Sequence, residues 1–142
     1  MPGSIFISLP VADVTRSTAF YQAIGFEKDP RMSGEHASSM RWSDTVAINV
    51  LDQALYNTLT PKQIIDAHTT SGVLIALSFN SKAEVDAITS AAVAAGGQEA
   101  HDAEDNGFMY SRAFTDPDGH GFGPFWMDME AAAAAMARGD AT

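Results

Sequence analysis

Apolar residues change period along the chain in an order that then repeats. "SIFISLPV", residues 4–11, reads as a strand. In the next stretch Phe20, Tyr21 and Ile24 recur on one helical face. Asp13 precedes it, where a carboxylate can accept from the free N–H groups of a first turn, and Gly25 follows it, where a left-handed helix end falls. "SSMRWS" and "TVAINVL" predict two strands of a meander, and "TPKQIIDAHT" a short helix with Thr60 as cap and Pro61 in its first turn. The order then restarts. "GVLIALSF" predicts a strand, and "SKAEVDAITSAAVAAGG" a helix opened by a capping box from Ser81 to Glu84 and closed by Gly96-Gly97. "GFMYSRAF" alternates with period two, "DPDG" makes a turn, and "FGPFWM" predicts the last strand. "EAAAAAMARG" is a strong helix former.

The two passes form a weak internal repeat of β-α-β-β-β type. One domain over residues 1–142 is therefore expected, with units near 4–58 and 72–128 and a C-terminal helix over 129–139. Mixed helix and strand runs predict the α+β class with antiparallel-rich sheets.

Composition narrows the function classes. Eight Lys and Arg against 18 Asp and Glu give a net charge of −10. Such a field repels phosphate backbones, so nucleic acid is not an expected partner. There is no cysteine, which removes disulfides, thiolate metal sites and cysteine nucleophiles. No apolar run nears the ~20 residues of a membrane helix, and the start "MPGSIFISLPVADVT" lacks a basic n-region. A cytoplasmic protein with no membrane partner is the expectation.

"LPVADVTRSTAFYQAIGF" near the N-terminus, "VLIALSF" in the middle and "FTDPDGHGFGPFWMD" near the C-terminus together resemble the vicinal oxygen chelate superfamily of glyoxalase I, extradiol dioxygenases and bleomycin-resistance proteins. The phrase "AAGGQEA…NGFMYSRAFTDPDGH…FWMD" resembles its bacterial predicted lactoylglutathione lyases. The resemblance implies two βαβββ modules whose curved mixed sheets form a cup, and homodimers as the usual assembly. It also implies four strand positions that hold a metal in metal-using members. Carried over, these are Phe6, Asn49, Leu74 and Gly123.

A divalent ion needs several nitrogen or oxygen donors. Phe6, Leu74 and Gly123 offer none from their side chains, and Asn49 offers one neutral carbonyl. Moving the register by one residue gives no ligand, and by two gives only Ser4 or Ser8 hydroxyls on the first strand. The expectation is a cup without metal or cofactor. A calcium loop placing Gly119 at its invariant glycine would put Phe114 and Phe125 at essential ligand positions. His36, His68, His101 and His120 show no paired spacing, and "HDAED" at 101–105 could gather a cation but reads more readily as a solvated loop. Asp116, Asp118 and His120 are explained by the turn they build.

A cup lined by apolar residues with a few polar groups is a small-molecule site. The candidate ligand-binding residues are Ser8, Asn49, Tyr110, Arg112, Gly123 and Phe125. Tyr110 and Arg112 share one face of their strand, and the pattern leaves open whether that face or the one with Met109, Ser111 and Ala113 points inward. If it is the former, Arg112 could take an anion. Glycine at 123 leaves room, and Pro124 suggests an edge or a bulge. The function expected is metal-independent binding or sequestration of a small hydrophobic or anionic compound. The alternative is a glyoxalase-like lyase or isomerase acting on a small molecule or thiol adduct, whose usual chemistry depends on a metal acting as Lewis acid. The catalytic residues of such an enzyme are not identified.

Overall fold

A computed structural model describes residues 3–139. The elements are β1 (Ile5–Val11), α1 (Val14–Ala23), β2 (Glu27–Asp29), β3 (Ala37–Arg41), β4 (Val46–Asp52), α2 (Gln53–Leu59), β5 (Leu74–Phe79), α3 (Lys82–Ala94), β6 (Gln98–Asp105), β7 (Met109–Thr115), β8 (Gly121–Met127) and α4 (Met129–Ala137), with a 3-10 turn at Pro30–Met32. They build two four-stranded mixed sheets of order β1-β4-β3-β2 and β5-β8-β7-β6. In each, the first strand lies parallel to the last strand of its module, β1 on β4 and β5 on β8, and the other pairs are antiparallel. The fold is α+β, as the alternation of periods indicates.

Local signals act where they stand. The Asp13 carboxylate accepts from the Arg16 N–H at 3.0 Å and starts α1, and Gly25 at φ 107° closes it. At α3 the Ser81 hydroxyl accepts from Glu84 N–H, while the Glu84 carboxylate reaches back to Asn80 N–H. Gly97, buried after α3, passes so close to Thr115 that a Cβ would lie 2.4 Å from its carbonyl oxygen.

Strand parity divides each sheet into two faces. Leu9 and Val50 pair across β1 and β4 and face the core, with Ile48 and Met40 beside them. Phe6 and Ser8, opposite Ala47 and Asn49, face the other way. In the second sheet Leu77, Phe114 and Phe122 enter the core. Helices α1 and α3 cover the core faces and touch each other. Tyr21 of α1 sits between the modules, edge-on to Phe26 at 5.3 Å and to Phe122 at 5.9 Å. Phe122 in turn stacks on Phe114 at 5.2 Å. Such aromatic contacts add to the large area that each ring buries.

Three expectations need correction. The short helix forms earlier than residues 60–69, at Gln53–Leu59, because the Asp52 carboxylate caps Leu55 N–H at 2.9 Å. Thr60 is extended ahead of Pro61, which ends that helix instead of beginning one. "HDAED" belongs to β6, an edge strand exposed along its whole length, whose register with β7 shifts on both sides of His101. Pro124 lies on a central strand, buried between β5 and β7. Its missing N–H is accommodated by a lapse: pairing of β8 with β7 is interrupted between Phe122 and Phe125, opposite Arg112 and Ala113.

Candidate functional site

The face of each sheet turned away from the core lines its own cavity, and the two cavities share no residue. The larger, about 520 Å³, lies on the second sheet. Leu74 and Ala76 of β5, Gly121 and Gly123 of β8 and Ala113 of β7 line it, all on one face by register. Ile65 and Val73, from the segment joining the modules, form a wall, and His101 and Glu104 of β6 stand beside it. The volume suits a compact ligand. The smaller cavity, about 140 Å³, lies on the first sheet between Phe6, Ser39, Arg41 and Ala47. Next to it, Ser39 Oγ and Asn49 Oδ1 are the buried side-chain polar atoms without a hydrogen-bond partner among the described residues. The two residues stand opposite each other on β3 and β4.

The "DPDGH" turn closes one end of this arrangement as a polar clasp between the modules. Asp116 is buried, and its carboxylate accepts from Tyr21 Oη at 2.7 Å and from the N–H groups of Asp118 and His120, both at 2.9 Å. Burial pushes the Asp116 carboxyl up from its ordinary range, although His120 and the Tyr21 bond pull it back. Burial first, and Asp116 second, drive the Tyr21 phenol far upward, so Tyr21 stays a proton donor to the carboxylate. Asp118 accepts from Ala12 N–H at 2.9 Å, from Arg16 and from the Ser17 hydroxyl. His120 places Nε2 at 2.7 Å from the Pro10 carbonyl. A ring N–H must lie on that nitrogen for the bond to form. These residues hold β1 and α1 against β8. Sequence reasoning found the turn but not its partners, which lie about 100 positions away.

The structure separates the six candidate ligand residues. Gly123 lines the larger cavity. Phe125 shares its strand and face but lies beyond the cavity lining, half-buried opposite Ser78 and Ser111. Ser8 and Asn49 face each other on the first sheet and border neither cavity. Tyr110 and Arg112 point their side chains to the helix side of the sheet, although Arg112 still borders the larger cavity. Tyr110 Oη donates to Asp86 of α3 at 2.6 Å. Arg112 donates to Asp86 at 2.9 Å and to Glu99 at 2.6 Å. Bonds to Asp86 and Glu99 raise the guanidinium further above its ordinary range, and Asp86 is lowered by Tyr110 and Arg112 in turn. The face that points into the cavity is the one with Ser111 and Ala113. His101 and Glu104 also border the cavity, two residues that the sequence marks only as part of the "HDAED" stretch. Their strand carries no large apolar residue, so no apolar period marked it.

The four positions at which metal-using relatives place ligands lie on the sheet faces turned from the core, but they do not fit an ion. Phe6 is 46% exposed and Leu74 78% exposed, both apolar, Gly123 has no side chain, and Asn49 supplies one amide. Among the described residues no three His, Asp or Glu side chains gather as a cation site. Dehydrating a divalent ion is not offset by a single neutral oxygen.

Comparison with known proteins gives a consistent result. A family model described as Glyoxalase/Bleomycin resistance protein/Dioxygenase superfamily matches residues 5–123. No curated protein matches the chain. Similar solved structures include the hypothetical protein SA1046 from S. aureus, 23% identical with a TM-score of 0.74 over 89% of this chain and 94% of that one. A glyoxalase/bleomycin resistance protein/dioxygenase family enzyme from Burkholderia phytofirmans PsJN is 20% identical, with a TM-score of 0.71 over 86% and 96%. A glyoxalase-related enzyme from Fulvimarina pelagi is 17% identical, with a TM-score of 0.74 over 89% and 88%. At these identities the likeness speaks to the fold alone.

Proposed function

We propose that this chain, which belongs to the glyoxalase/bleomycin resistance protein/dioxygenase superfamily, binds a compact, largely apolar small molecule in the cavity of its second sheet without a divalent metal. Gly123 carries this reading. Its backbone is not in the left-handed region, so no conformational rule demands glycine there. A Cβ at this position would meet nothing within 4 Å. The missing side chain therefore serves the cavity and not the fold. The donor set favours binding over a metal-assisted lyase reaction, because the strand positions that would carry ligand and base carry Phe6, Leu74 and glycine.

A thermal-shift screen of apolar small molecules, with and without divalent ions, tests the reading. Hits are expected, with no dependence on added metal. For a hit, Gly123→Leu is expected to weaken binding at least about tenfold by filling the space, while the melting temperature of the free protein stays within a few degrees. Arg112→Ala is expected to leave affinity unchanged and to lower stability, since Asp86 and Glu99 lose their cation. Equal affinity for wild type and Gly123→Leu would place the ligand elsewhere.

We further infer a homodimer. Phe6, Leu74, Val73 and Ile5 are large apolar residues left open on the chain, and exposed patches of this kind mark association surfaces. Sedimentation velocity is expected to return twice the 15.1 kDa chain mass; a monomer across the micromolar range would overturn this assembly.

A further inference from the structure

We propose that the 520 Å³ cavity ranks ligands by charge, cation over neutral over anion, with Glu104 as the discriminating group. The inference rests on the cavity being the binding site and adds the chemical class of its occupant.

Among the described residues Glu104 is the only carboxylate that lines the cavity, and no hydrogen bond or ion pair joins its side chain to another of them. The neighbouring acids differ, because Glu99 is taken by Arg112 and Asp105 by Lys82. Among the described residues Arg112 is the only Lys or Arg bordering the cavity, and its guanidinium lies on the other side of the sheet between two carboxylates. An anion entering the cavity would therefore meet an uncompensated negative charge and no free cation. The imidazoles do not reverse this. His120 is buried and bonded to the Pro10 carbonyl, and His101 directs Nδ1 to its neighbour's carbonyl at 2.9 Å.

The first sheet offers no net cation either, should its open face cover the cavity in a dimer. Arg31 is paired with Asp29 and Arg41 with Asp44. The whole chain carries −10, so the long-range field points the same way.

Three probes that share one hydrocarbon cage decide the matter by calorimetry on the full chain: 1-adamantanemethylamine, 1-adamantanemethanol and 1-adamantanecarboxylate, at low and high salt. The amine is expected to bind about tenfold tighter than the alcohol, the carboxylate weakest, and the spread to shrink with added salt. Glu104→Gln is expected to bring the amine to the level of the alcohol without changing the alcohol. A carboxylate that binds as well as the alcohol, or an amine preference that survives Glu104→Gln, overturns the charge ranking. If all three bind equally and Gly123→Leu abolishes them, the ranking fails while the cavity stands as the site. If none binds, both readings fall.

Discussion

Gly119→Ala is expected to cost the fold about 3 kcal/mol, read as the shift in a denaturant midpoint. Two independent terms contribute. The residue sits at φ 92°, where an L side chain costs roughly 1–2 kcal/mol. The new methyl would also lie 2.7 Å from both the carbonyl carbon and oxygen of Ala67 and 2.8 Å from the His68 nitrogen. Those are backbone atoms, so no rotamer change relieves the contact; one segment must move. The segment that would move, residues 65–73, forms the wall of the larger cavity. Ligand affinity should therefore fall along with stability. Gly123→Ala is the control, with open space at its Cβ and no positive φ, and should be nearly neutral. A Gly119→Ala cost below about 1 kcal/mol would show that the turn and the joining segment do not touch as described.

Asp116→Ala is expected to cost about the same, about 3 kcal/mol, for a different reason. It strips the acceptor from Tyr21 Oη and from two turn N–H groups in a buried place. Tyr21→Phe in the alanine background should recover part of the loss, since it removes the orphaned hydroxyl. Asp116→Asn should be milder, because one amide oxygen still serves the turn. The asparagine variant also isolates a pH effect. Because burial raises the Asp116 pKa in the folded state, the folded chain holds that proton more tightly than the unfolded one. Its contribution is then complete below the unfolded value of about 3.9 and is lost as pH rises through the raised folded value. Wild-type stability measured relative to Asp116→Asn should decline across that window. A flat difference would mean that the carboxylate is not buried.

Much of the fold was legible because its signals are local. Asp13, Ser81, Gly25 and Gly96 mark helix ends through side-chain and backbone geometry that a few neighbours determine. What escaped is non-local. Strand β6 carries no apolar face, so only its pairing with β7 defines it. Pro124 argued for an edge or a bulge, yet the sheet kept it central and in register by giving up pairing with β7 at that point. Tyr110 and Arg112 looked as able to face a ligand as a core, because parity gives two faces without saying which is which. The answer lay in Asp86, on a helix 24 and 26 positions earlier, whose carboxylate accepts from both. The resemblance implied a cup without saying whether one chain or two complete it, and in this chain the open face of each sheet lines a cavity of its own. Sequence order does not say that both sheets turn their core faces toward α1 and α3.

The clasp also bears on how the chain folds. Ala12 and Asp118 are 106 positions apart and Tyr21 and Asp116 are 95 apart, so these contacts close very long loops. Closing them adds an entropic cost that neither module's own contacts carry, which places them late in assembly. Once made, they join Tyr21 of the first half to Phe122 of the second through one buried ring. Neither half can then open without exposing the other's core, and a ligand held by the second sheet alone would delay the melting of the first.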